Sequence, residues 1–133
     1  MAVFIDSSVF VAYANSFDVH HENAVKLIQR LEEGSFGETI TTDYIFDEVV
    51  SVIMRKMSKK ESILFGQHLL DSKVLLLPVD SVVFEEAWKW FEKEKLLSFT
   101  DSSSVAFMKL YGVPAIATFD KAFGNISGIE VVC

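Results

Sequence analysis

Four acidic residues could do chemistry together: Asp6, Glu48, Asp101 and Asp120. Asp6 is the one charge in the apolar stretch "VFIDSSVFVAY" at 3–13, and Asp120 follows "AIAT" at 115–118 after a single residue. On a helix, Asp101 shares a column with Val105 and Met108, which aims it inward. Glu48 lies at the edge of an apolar helix face centred near Ile45, Phe46, Val49 and Ile53. Asp47 falls on the opposite side with Asp43 and Ser51 and reads as a solvated charge. If the four carboxylates meet, each close pair repels by roughly 4 kcal/mol at an effective dielectric near 20. Such a group either takes up protons or holds a cation. Oxygen donors without nearby His or Cys suit Mg²⁺ or Mn²⁺ better than zinc.

Each acid also has a simpler account. Asp6 and Asp120 could merely N-cap the helices that follow them. "SFTD" at 98–101 matches a capping box with Ser98 as the cap. Arg55, two turns beyond Glu48, is a candidate ion-pair partner for it.

The elements that must position these residues alternate in type. Short apolar strands are expected at 2–5, 39–42, 74–79, 114–118 and 129–133. Helices are expected at 7–14, 19–33, 43–57, from 58 to about 72, at 81–94, and from near 100 to Gly112. "SKKE" at 58–61 fits a capping box, and Gly34 a helix stop. This alternation predicts an α/β fold with a parallel sheet and helices on both faces. Such sheets place their sites at the carboxyl ends of the strands, where Asp6 and Asp120 fall.

Half of the 133 residues are hydrophobic, 23% are charged and twelve are Phe, so the chain reads as one globular domain over 1–133. No apolar run reaches the roughly 18 residues of a membrane helix, and no secretory signal is evident, so a cytoplasmic protein is expected. The single Cys excludes an internal disulfide and a Cys-based zinc site. The net charge of −7 argues against a nucleic-acid coat protein. It is compatible with an enzyme that gathers acids around cations.

Other features have mainly structural readings. His21 and His68 read as structural residues. "RKMSKK" at 55–60 supplies Arg55, Lys56, Lys59 and Lys60, either as helix-end cations or as RNA phosphate contacts. Trp88 is expected in the core, and Trp90 on the surface, where it could serve an interface.

Five stretches together resemble a PIN domain, most closely the small VapC-type toxin ribonucleases. They are "VFIDSSVFVAY", "DVHHENA" at 18–24, "TTDYIFDEVVSVI" at 41–53, "SFTDSSSVAF" at 98–107 and "VPAIATFDKAF" at 113–123. The resemblance implies a three-layer α/β/α fold with a central, mostly parallel sheet. It makes Asp6, Glu48, Asp101 and Asp120 the catalytic metal ligands, with Ser7 and Thr118 supporting them. Many relatives carry a further acid near Asp101, where this chain has Ser102, Ser103 and Ser104, which leaves open one ion or two. The implied activity is Mg²⁺- or Mn²⁺-dependent RNA hydrolysis giving 5′-phosphate and 3′-hydroxyl ends. The implied partners are an RNA substrate, a small antitoxin protein and a second copy of the chain. An RNA-processing nuclease without an antitoxin and a non-catalytic binding module are the alternatives. A haloacid dehalogenase-like phosphatase would need an Asp at position 8, which is Ser8. A response-regulator receiver would need paired acids after the first strand.

Overall fold

The computed structural model describes residues 1–133. Five strands form one sheet: β1 (Ala2–Ile5), β2 (Glu38–Thr42), β3 (Leu75–Leu77), β4 (Ala115–Ala117) and β5 (Glu130–Val132). Their spatial order is β3-β2-β1-β4-β5 and every pairing is parallel. Six helices complete the three layers: α1 (Ser7–Ala14), α2 (His21–Glu32), α3 (Asp43–Lys56), α4 (Lys59–Leu70), α5 (Ser81–Lys93) and α6 (Phe99–Tyr111). The expected "mostly parallel" sheet is thus wholly parallel.

β1 is central because its side chains can be buried on both faces. Val3, Phe4 and Ile5 are all buried, as the unbroken apolar run predicts for an interior parallel strand. Phe4 meets Phe107 of α6 at 5.9 Å between ring centroids, and Ile45, Val49 and Ile53 of α3 are buried in the same core. β3 is shorter than expected because Pro78 lacks the N–H a ladder needs. Gly112, at φ +68°, closes α6 in the left-handed conformation that glycine adopts without steric cost.

The chain leaves β1 to one side of the sheet and returns to β4 on the other, so strand order reverses at β1. Ligand crevices form at such switch points, outside the carboxyl ends of the strands. The register fixes what meets there. Ile5 pairs with Ala117, and the Asp6 N–H donates to the Ala117 carbonyl at 3.0 Å.

Two expectations about α5 are reversed. Trp88 is 52% exposed, whereas Trp90 is half-buried and packs against the core. The inward stripe of α5 runs through Val83, Ala87 and Trp90, at spacings of four and three. Of the face expected from Val83, Phe84, Ala87, Trp88 and Phe91, Val83 and Ala87 are buried, whereas Phe84, Trp88 and Phe91 are exposed and cluster with Phe99. Both stripes have helical periodicity, so the sequence pattern alone does not choose between them. A 3₁₀ turn at Lys121–Asn125 was also not foreseen.

Candidate active site

Asp6 lies at the end of β1 and is 2% exposed. It occupies the N-cap position of α1, yet its side chain makes no capping bond. Two hydroxyls hold its Oδ2 instead. Thr118 Oγ1 donates at 2.7 Å and Ser8 Oγ at 2.9 Å. The same hydroxyls accept from the chain that follows β4: Ser8 Oγ from Phe119 N–H and Thr118 Oγ1 from Asp120 N–H, both at 3.0 Å. The Asp6 carboxylate is thereby tied to the β4 exit. Its other oxygen, Oδ1, is the one buried side-chain polar atom in the protein without a hydrogen-bond partner.

Glu48 reaches this edge from α3. Ser7 Oγ donates to Glu48 Oε1 at 2.9 Å, across the packing of α1 on α3. Ser7, not Arg55, is therefore the partner of Glu48. Arg55 lies in an adjoining hollow with Glu48, Tyr44 and Phe99, and no ion pair joins it to Glu48. A long exposed side chain loses rotamer freedom when it is pinned, whereas Ser7 is already in place.

Asp101 and Asp120 are bound locally as well as facing the site. Asp101 closes a reciprocal capping box: Ser98 N–H donates to its Oδ2 at 3.2 Å, and Asp101 N–H donates to Ser98 Oγ at 3.1 Å. Asp120 Oδ1 accepts from Ala122 N–H at 2.9 Å, capping the 3₁₀ turn. For these two residues the capping account is correct, but it occupies only part of each carboxylate. For Asp6 it fails.

All four line one cleft of about 440 Å³, together with Ser7, Ser8, Asp18, His20, Lys56 and Ser98. Five carboxylates thus face a single lysine. Their fields overlap. Burial raises the Asp6 carboxyl above its ordinary range, opposed by the Thr118 and Ser8 hydroxyls, and Glu48 adds repulsion. Burial, then the charge of Asp6 and more weakly that of Asp120, pushes Asp101 up to about 6. The four nevertheless do not form a finished cage, since no three acidic or histidine side chains stand close enough to grip one ion as they are. Glu48, Asp101 and Asp120 are each engaged in a local hydrogen bond.

Thr118 donates to the Asp6 carboxylate and Ser7 to that of Glu48. Ser8, Asp18 and His20 were missed. The second hydroxyl of "DSS" was a usable signal for Ser8. The adjacent His20 and His21 divide their work: His21 Nδ1 lies 2.8 Å from the Ala12 carbonyl, while His20 lines the cleft. Ser102, Ser103 and Ser104 are buried and donate to helix carbonyls of Ser98 and Thr100, so they do not replace an acid. Lys56 lines the cleft and Arg55 adjoins it. Lys59 and Lys60 are exposed in the first turn of α4, away from it.

The PIN domain family model matches residues 3–129. The chain belongs to the PIN domain family. Among curated PIN relatives, it is 25% identical to the 23S rRNA-specific endonuclease VapC20 of Mycobacterium tuberculosis over 131 residues, covering 97% of both chains. It is 31% identical over 108 residues to a VapC ribonuclease of Archaeoglobus fulgidus, covering 78% of this chain and 68% of that one. The crystal structure of M. tuberculosis VapC20, described as a sarcin-ricin loop cleaving toxin, superposes with a TM-score of 0.84 at 24% identity, covering 97% and 98%. A toxin-antitoxin complex from Klebsiella pneumoniae shares this PIN fold at a TM-score of 0.68 and 14% identity, covering 97% and 95%.

Proposed function

We propose that the chain is a divalent-metal-dependent endoribonuclease, the toxin of a toxin–antitoxin pair, with Asp6, Glu48, Asp101 and Asp120 holding Mg²⁺ or Mn²⁺. The observation that carries the metal reading is the orphaned Asp6 Oδ1, buried in a cleft of five carboxylates and one lysine. An unpartnered buried carboxylate oxygen is costly unless a cation completes it. Bound there, a divalent ion would polarise the scissile phosphate and make water a stronger nucleophile near neutral pH.

The protein's own groups do the positioning. Thr118 and Ser8 hold the Asp6 carboxylate through Oδ2 and leave Oδ1 without a partner, so Oδ1 would be the oxygen that holds the ion. Ser7 turns Glu48 toward the same edge. Asp101 and Asp120 each keep an oxygen free beyond their capping bonds. Lys56 is the cation in the cleft that can meet a non-bridging phosphate oxygen. Arg55, Lys59 and Lys60 would extend that contact along the RNA backbone. Hydrolysis would leave 5′-phosphate and 3′-hydroxyl ends.

Ribosomal RNA is the first substrate to test, because the VapC20 relative acts on 23S rRNA. The antitoxin would be a small protein that covers the cleft. The exposed Phe84, Trp88 and Phe91 stripe offers a face for homodimer formation. No helix is long and apolar enough to cross a membrane, and we place the reaction in the cytoplasm with its RNA. Incubating the purified protein with ribosomes and Mn²⁺, then mapping new 5′ ends, tests the reading. Discrete cuts that vanish with EDTA and with Asp6→Asn support it. Cuts that persist in both would overturn it.

A further inference from the structure

His20 stands on the wall of the acidic cleft, and nothing in the mechanism above uses it. It occupies the N-cap position of α2, where Ser, Thr, Asp or Asn is preferred, yet its ring makes no capping bond. Its hydrogen bonds are those of its backbone: its N–H donates to Asp18 Oδ1 and its carbonyl accepts from Ala24 N–H, each at 2.8 Å. The ring instead lies flat on Phe119, with centroids 4.6 Å apart and planes 8° from parallel. Phe119 is itself fixed, because its N–H donates to the Ser8 hydroxyl that also holds Asp6. An exposed imidazole is thus set at a defined height beside the carboxylates, with one face backed by an aromatic ring and the residue open to the cleft.

Single-stranded RNA is bound by this kind of surface, since every base has a face to stack and His, Phe, Tyr and Trp supply the platforms. We propose that His20, backed by Phe119, stacks against a nucleobase next to the phosphate held in the cleft and so positions the RNA for cleavage. This rests on the ribonuclease reading. The role needs a flat ring, not a proton, so Phe should replace His. The platform is also backed by the chain segment that anchors Asp6, because Phe119 follows Thr118 directly, so the base and the scissile phosphate would share one frame.

The test uses a synthetic oligoribonucleotide spanning the site the enzyme itself cuts, and a set of copies each with one abasic nucleotide near the cut. His20→Ala is expected to raise KM for the intact oligonucleotide about 5- to 150-fold, the equivalent of about 1–3 kcal/mol for one stacked base. It should leave the melting temperature and Mn²⁺ affinity unchanged, and His20→Phe should restore the wild-type KM. One abasic position should raise the wild-type KM to the His20→Ala level and have no further effect on His20→Ala. A wild-type KM in His20→Ala, failure of His20→Phe to restore it, or additive effects at every abasic position would overturn the platform alone. If wild type cuts no better than Asp6→Asn, the ribonuclease reading falls and this proposal with it.

Discussion

Asp6 and Asp80 hold equivalent places in the fold and behave in opposite ways. Each follows a strand, sits at the N-cap position of a helix, and has nearly the same backbone, with φ −80° and −79°. Asp80 is exposed and caps: its Oδ1 accepts from Val83 N–H at 2.9 Å, and its Oδ2 accepts from the Tyr111 hydroxyl at 3.0 Å. The Val83 N–H and then the Tyr111 hydroxyl hold its carboxyl below the ordinary range. Asp6 caps nothing, is buried, and is pushed above that range. Position on the chain is therefore not what separates a structural acid from a site acid. What separates them is whether the backbone or a pair of hydroxyls takes the carboxylate, and whether an oxygen is left over. Asp80 is spent on joining α5 to α6. Asp6 is held by one oxygen and unsatisfied at the other.

The contrast is broken most severely by exchanging which of the two acids is neutral. Asp6→Asn should lower ribonuclease activity about a thousandfold or more, since a bound metal supplies several kcal/mol to the transition state. The same substitution should raise the melting temperature of the metal-free protein at neutral pH, because it removes an unpaired buried charge. A loss of both activity and stability would mean that Asp6 is structural. Thr118→Val comes next. It deletes a donor to Asp6 Oδ2 and should cost about 1–3 kcal/mol of stability. Activity should fall about 10- to 100-fold, as expected for a group that orients a metal ligand. Denaturant titration and initial rates read the two effects separately.

The pH response is smaller and has a definite sign. Burial and the neighbouring charges of Asp6 and Asp120 raise the Asp101 carboxyl from its ordinary 3.8 to about 6. The native state then binds that proton more tightly than the unfolded chain, and the metal-free protein loses stability as pH rises from about 4 through about 6. Asp6 is raised as well and contributes in the same direction. Mn²⁺ competes with those protons, so its affinity should fall about tenfold per unit below pH 6. Calorimetry across pH 5 to 7 reads this, and a flat profile would remove Asp101 from the ligand set. Asp80→Asn should have the least effect on catalysis: wild-type rates with a lower melting temperature. A change in rate would show that the two acids are not functionally separate.

The alternation of strands and helices, the burial of β1 and the inward aim of Glu48 and Asp101 were legible because burial leaves an imprint on the sequence pattern. The acids at the ends of β1 and β4 were legible because parallel strands carry them to one edge. What stayed hidden depends on contacts distant in sequence. Ser7 and Glu48 are 41 positions apart, and Ser8 and Phe119 are 111 apart. No local pattern announces either bond. α5 misled in part because its apolar positions span more than one stripe: Val83 and Ala87 turn inward as expected, while Phe84, Trp88 and Phe91 do not. Packing against α6 decides between them. His20 was overlooked for a related reason: its partner Phe119 comes from the far end of the chain.

The central claim is that Asp6 Oδ1 is left for a metal ion. Anomalous diffraction from crystals of the wild-type protein soaked in Mn²⁺ tests it most directly. The account predicts a Mn²⁺ peak bonded to Asp6 Oδ1, with Glu48, Asp101 and Asp120 turned toward it, and no such peak in Asp6→Asn. Saturating Mn²⁺ that leaves Asp6 Oδ1 without an ion, or that binds Asp6→Asn equally well, would contradict it.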